Sequence, residues 1–165
     1  MLQDKIKELL TEQLNLEFSS ANLYLQMSAW CCRQGFDGAA SFLKAHFQEE
    51  IQHMQRLVDY LNDHDVSFTI KDITVAPIES KSLIAIFEQA YQHECCNTKK
   101  INELVWIAMD LKDASTFHFL QWYVAEQREE EKLFKSIRDK FKLIGESNRD
   151  LLLVDQNPKT YVTLS

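Results

Sequence analysis

The sequence predicts an all-α protein: a four-helix bundle with one long connection between the second and third helices and a short fifth helix at the C-terminus. Three observations lead there. The chain of 165 residues holds only 3 glycines and 2 prolines, about 3% of the chain where roughly 12% is ordinary. Those residues make turns, so a β-sandwich, which turns every ~8–12 residues, is excluded. A doubly wound α/β fold is excluded on the same ground, and a glycine-rich phosphate loop has no glycines to build it. Second, apolar residues recur at helical spacing over long segments. Third, the five breakers Gly35, Gly38, Pro77, Gly145 and Pro158 cut the chain into helix-sized pieces.

Each element follows in order. The first helix covers about 4–34 and ends at Gly35. The Gly35–Gly38 loop is short, so the second helix, about 38–64, returns antiparallel. Residues 65–81 are β-branched, contain Pro77 and lack a helical repeat. At 1.5 Å per residue the flanking helices are roughly 40 Å long. An extended segment of this size can run their whole length and make the second and third helices parallel. The third helix, about 82–110, is capped by Ser82. Lys112–Ser115 makes a polar turn with Ser115 as the next cap, the fourth helix runs over about 115–143 to Gly145, and a fifth covers about 147–156 with Pro158 ending it. All of this forms one domain over residues 1–165.

Composition limits the partners. The 25 acidic residues exceed the 18 basic ones, a net charge of −7, which argues against nucleic acid and against an anionic membrane surface. No apolar run is long enough to span a bilayer, and the polar start Met-Leu-Gln-Asp-Lys does not read as a signal peptide. The expected location is therefore the cytoplasm. The cysteines come as two vicinal pairs, Cys31–Cys32 and Cys95–Cys96, which cannot easily close a local disulfide on a helix and are expected as free thiols.

One acid interrupts each apolar seam. On a helical wheel, Glu17 lies within about 20° of Ile6, Leu10 and Tyr24, and Glu50 within about 20° of Leu43, Leu57 and Leu61. Glu94 shares its face with Leu83, Phe87, Ile101 and Val105, and Glu130 with Phe119, Tyr123, Ile137 and Phe141. Each acid falls near the middle of its helix, so the four meet at one level of the bundle. His53, one turn from Glu50, reaches the same level. Four anions in a low-dielectric core repel and are costly to desolvate, so they share either protons or cations. Oxygen-rich ligation with one imidazole suits iron or manganese. Two glutamates from two helices, joined to Glu-x-x-His, is a dinuclear carboxylate arrangement found in bundle cores.

The chain resembles the bacterial non-haem ferritins over essentially its whole length. The resemblance is carried by Asn15-Leu16-Glu17, Met27-Ser28-Ala29-Trp30-Cys31 and Gln48-Glu49-Glu50-Ile51-Gln52-His53-Met54 in the first half. In the second half it is carried by Phe119-Leu120-Gln121-Trp122-Tyr123-Val124, Glu126-Gln127 and Glu129-Glu130-Glu131-Lys132-Leu133-Phe134. It implies a ferroxidase that oxidises Fe(II) with O2 or H2O2 and stores ferric mineral in a homo-oligomeric shell of 24 subunits. It implies that Glu17, Glu50 and His53 bind the first iron, that Glu50 bridges, and that Glu94 and Glu130 bind the second, with Gln127 beside the pair. A third iron is implied at Glu49, Glu126 and Glu129, with Glu130 shared. Tyr24 is expected to hydrogen-bond a ligand and to donate an electron.

Departures refine this. The fourth helix carries Gln127-Arg128-Glu129-Glu130 rather than a second Glu-x-x-His, and Ile51 stands where bacterioferritins carry their haem-ligating methionine. No haem is expected. Phe117 and Leu120 are expected where animal ferritins place acids at their three-fold pores. Trp122 is expected to pack, His46 to be a satisfied core histidine, and Cys95 and Cys96 to be buried small residues. A rubrerythrin-type di-iron peroxidase lacks its Cys-x-x-Cys module here, a DNA-coating mini-ferritin would place its iron between subunits, and a non-catalytic shell subunit would leave the four acids incidental.

Overall fold

The computed structural model describes residues 2–78 and 81–162. Its elements are α1 (Asp4–Gln34), α2 (Asp37–Asp63), α3 (Leu83–Asp110), α4 (Ala114–Ile144), α5 (Asn148–Asp155) and a 3-10 turn (Pro158–Tyr161). Among the described residues there is no strand.

Helix ends follow local chemistry. Gly35 closes α1 with φ +82, a left-handed conformation that suits glycine, and its N–H and that of Phe36 bond back to Cys32 and Cys31 carbonyls. Ser82 caps α3 by accepting from the Ala85 N–H at 3.2 Å. At α4 the cap is Asp113, which accepts from the Thr116 N–H at 3.0 Å and the Thr116 hydroxyl at 2.8 Å. Ser115, the expected cap, lies inside the helix. The aspartate wins because its carboxylate reaches both donors. Pro158 does not end the fifth helix. That helix stops at Asp155, and the proline opens the 3-10 turn, where its missing N–H costs nothing.

The start of α2 shows tertiary capping. Phe36 has no side chain to offer, so Asp155 does the work from α5, accepting from Gly38 N–H at 2.9 Å and Ala39 N–H at 2.7 Å. The Tyr161 hydroxyl donates to the same carboxylate. Gly38 is required by this docking, because a Cβ there would lie 2.1 Å from the Asp155 carbonyl oxygen.

Cross-helix bonds establish the topology. Tyr24 meets Glu94, Ser20 meets His93, and Gln3 meets the Leu111 carbonyl, so α1 and α3 are antiparallel. Ser28 bonds the Ala40 carbonyl at 2.7 Å, so α1 and α2 are also antiparallel. Helices α2 and α3 therefore run parallel, as the long crossover requires. The crossover has no ladder of its own and is tied to the helices by side chains. Asn15 accepts from the Lys71 N–H and donates to the Thr69 carbonyl, and Gln89 donates to the Pro77 carbonyl.

The bundle has two apolar cores with a polar layer between them. One core holds Met27, Leu43, Phe87, Phe134, Ile137 and Phe141, and the other holds Ile6, Leu10, Leu14, Leu57, Leu61, Ile101 and Leu120. Between them each helix contributes polar side chains at one level. Leu120 belongs to the core, which corrects its expected place on a pore surface. Phe117 is half-buried beside Met109, Lys112 and Ala114 at the α3–α4 turn. Cys31 is buried, but Cys96 is exposed and Cys95 only partly covered, which corrects the expectation for that pair. They lie away from the inward face of α3 that Glu94 defines.

Candidate metal centre

Glu17 (α1), Glu50 (α2), Glu94 (α3) and Glu130 (α4) are each no more than 5% exposed. Each sits where its helix passes from one apolar core to the other. Among the described residues no lysine or arginine pairs with any of them, and their charged neighbours are histidines and other acids.

Glu17, Glu50 and His53 bring one ligand atom each to within 4.8 Å of one another, and all three are buried. His53 Nδ1 lies 3.4 Å from Glu50 Oε2, an oxygen that has no hydrogen-bond partner. Glu17 is held from below by Gln13, whose Nε2 donates at 2.8 Å. The Tyr123 hydroxyl donates to the His53 carbonyl at 2.6 Å and steadies that turn of α2.

The other two carboxylates are held more firmly. Glu94 accepts from the Tyr24 hydroxyl on one oxygen and from Gln127 Nε2, at 3.0 Å, on the other. Glu130 Oε2 lies 2.8 Å from His46 Nε2. His46 also comes within 3.5 Å of Glu49, so His46, Glu49 and Glu130 form a second group that could hold a cation. Glu126 is half-buried with its carboxylate 3.7 Å from His53 Nε2, and Glu129 is exposed on the same helix. Trp122 packs edge-on to His53 at 5.2 Å between centroids, with the Arg56 guanidinium 4.0 Å over its ring.

Burial dominates the electrostatics. Burial, then the charges of Glu17 and Glu94, push the Glu50 carboxyl well above the usual range. Burial and the Glu130 charge push Glu94 up to about 7, although Tyr24 and Gln127 pull the other way. Burial and the Glu94 charge likewise raise the Tyr24 phenol. Burial alone would lower His46, but the hydrogen bond and charge of Glu130 outweigh it and raise the imidazole. Without a cation, the layer keeps protons that exposed carboxyls would have lost. A cation is the direct replacement for those protons.

Helix spacing put Glu17, Glu50, Glu94, Glu130 and His53 at one level, and the structure brings all five there; Gln127, expected beside the pair from the resemblance, and Tyr24, expected on the Glu17 face two turns later, both reach Glu94. Sequence reasoning missed the role of His46: expected as a satisfied core histidine, it pairs Nε2 with Glu130 but leaves its buried Nδ1 without a partner, which corrects that expectation. The signal was its spacing, one turn before Glu50 on nearly the same face. It also missed Gln13, and the Ser20–His93–Asn97 network beside Tyr24, with Ser20 Oγ 2.7 Å from His93 Nε2. For Gln13 the clue was a polar residue one turn before a central acid.

Fold and layer together define a helical bundle with a buried carboxylate–histidine layer whose ligand atoms lie close enough together to hold a metal ion. The sequence matches the ferritin-like domain over residues 7–144. It is 52% identical over 157 residues to a probable bacterial non-heme ferritin-like protein of Haemophilus influenzae, covering 95% of each chain. It is 50% identical over 163 residues to a bacterial non-heme ferritin of Escherichia coli, covering 99% of each. Among solved structures it superposes on the open-pore ferritin of Archaeoglobus fulgidus with TM-score 0.92 at 37% identity, covering 99% of this chain and 100% of that one. The Chlorobium tepidum ferritin gives TM-score 0.87 at 44% identity, with the same coverage. The chain belongs to the ferritin family.

Proposed function

We propose that this ferritin is an iron-storage protein that oxidises Fe(II) at the buried layer and keeps the ferric product as mineral inside a homo-oligomeric shell of 24 subunits. One observation carries the reading: four buried carboxylates and a histidine converge at one level with, among the described residues, no lysine or arginine to neutralise them. A folded chain tolerates that only where protons or cations fill the gap.

In this reading Fe(II) is the substrate. Glu17, Glu50 and His53 bind one ion, Glu94 and Glu130 bind the other, and Glu50 bridges them through the oxygen that no donor occupies. Gln127 stays beside the pair, on Glu94. Each Fe(II) gives one electron. O2 takes two electrons and two protons and leaves as H2O2, or H2O2 takes them and leaves as two waters. The Tyr24 phenol, bonded to Glu94, is placed to give one electron and its proton when a single Fe(II) is bound, so that two electrons and, with one solvent proton, two protons still reach O2 and it leaves as H2O2. Glu49, Glu126 and Glu129 share Glu130 with a third ion on its way out, and His46 ties Glu130 to Glu49 there.

Shell formation is supported by apolar side chains left exposed on several elements: Leu25, Ile70, Ile73, Trp106, Met109, Leu143 and Leu153. Among the described residues no helix is long and apolar enough to cross a membrane, and we place the protein in the cytoplasm. The test is aerobic addition of Fe(II) in large excess per subunit, followed by sizing of the product. A shell of about 24 subunits holding far more than three Fe(III) each is expected. A small oligomer that stops at two irons would instead mark a di-iron peroxidase, and no uptake would mark a non-catalytic subunit.

A further inference from the structure

Gln13 lies one helical turn before Glu17 on α1 and is 4% exposed. Its neighbours along the seam, Leu10 and Leu14, are apolar core. A buried amide there costs free energy unless its polar atoms are used. The Nε2 is used: it donates to Glu17 Oε1 at 2.8 Å, with both groups buried. On its outer side Gln13 lines a pocket of about 150 Å³ between α1 and α3, together with Glu12, Leu16, Lys100 and Glu103. Gln13 therefore stands between that pocket and a carboxylate of the central layer.

The bond restricts what Glu17 can do. A carboxylate with both oxygens free can chelate one ion or swing between two. With one oxygen occupied by an amide N–H, it offers the other. Glu50, whose Oε2 has no partner, belongs to the same group. Resting on the two-ion reading above, we propose that Gln13 is a positioning residue. Its amide pins Glu17 so that it meets the ion shared with Glu50 and His53 through one oxygen, and it keeps that oxygen turned away from the α1–α3 pocket.

The test uses metal-free assembled protein titrated with Zn(II) by calorimetry, and with Co(II), whose visible absorption reports coordination number. Gln13→Met keeps length and removes the donor. Gln13→Asn keeps the amide but is one methylene too short to reach Glu17. In both variants one of two Zn(II) sites is expected to weaken by about tenfold or more, the scale for loss of a hydrogen bond to a metal ligand. The site at Glu94 and Glu130 keeps its affinity. The Co(II) absorption of the weakened site is expected to fall in intensity as Glu17 adds its second oxygen.

Unchanged Zn(II) binding and Co(II) absorption in both variants overturn the proposal while leaving the two-ion reading intact. Equal weakening of both sites also overturns it, since that is general loosening. If the unsubstituted protein binds no interior pair of Zn(II), the two-ion reading falls, and this inference with it.

Discussion

The two halves of the central layer are built differently. In the α3–α4 half, every carboxylate has a donor: Tyr24 and Gln127 hold Glu94, and His46 holds Glu130. In the α1–α2 half, Gln13 holds Glu17, but Glu50 keeps an oxygen with no partner, and an imidazole waits beside it. One half is preorganised and the other is poised. An ion entering the poised half replaces a missing interaction, whereas an ion entering the held half must compete with existing hydrogen bonds. On the two-ion reading, the difference predicts an order of filling: the Glu17–Glu50–His53 group first, the Glu94–Glu130 group second.

The largest effect is expected at Glu50, the proposed bridge between the halves. Glu50→Ala should cut the initial rate of Fe(II) oxidation by at least about 100-fold, more than loss of any supporting residue. His53→Ala combined with Glu130→Ala should do the same while sizing shows assembly intact. Stopped-flow absorbance reads both. Rates within twofold of the unsubstituted protein would break the comparison at its root.

Next comes pH. The folded Glu94 carboxyl sits at about 7 against an ordinary 4.5. Between those values the folded chain holds a proton that the unfolded chain has released. Stability of metal-free protein therefore falls as pH rises through this window. Glu94→Gln should flatten that fall. Added Zn(II) should raise the melting temperature more at pH 8 than at pH 5.5, since binding then displaces fewer protons. Thermal scans at the two pH values check the sign, and a gap that is wider at low pH would contradict it.

Smaller effects test the held half. Tyr24→Phe removes one donor from Glu94 and should slow oxidation about tenfold, the scale of a hydrogen bond to a charged group. Gln127→Leu should cost less, because Tyr24 still holds Glu94. His46→Gln should cost least, a few-fold, because a shorter neutral amide can keep part of the contact with Glu130. If His46→Gln exceeds Tyr24→Phe, the ranking within that half is wrong.

Most of the fold was legible because it depends on periodicity. The α1 limits, 4–34, match, α3 starts one residue late, and α2 and α4 shift by one residue at both ends. Wheel geometry put Glu17, Glu50, Glu94 and Glu130 on one level, since helix rise fixes height. What escaped depends on contacts between distant segments. Asp155 capping α2, and Gly38 yielding space to it, cannot be read from the sequence around either residue. Asp113 outcompeting Ser115 turned on which side chain reaches two donors. Leu120 was set on a pore by analogy when its seam position made it core. His46 and Gln13 were hidden for one reason: they act on carboxylates of the layer, and sequence shows spacing but not which partner a side chain finds.

On the proposed reading the four carboxylates are a two-ion site. Crystals soaked anaerobically in Fe(II), with data collected at the iron edge, test it most directly. The account predicts two anomalous peaks inside each bundle, one touching Glu17, Glu50 and His53, the other touching Glu50, Glu94 and Glu130, with the first filling at lower Fe(II). An iron-free interior with peaks confined to surface carboxylates would contradict it.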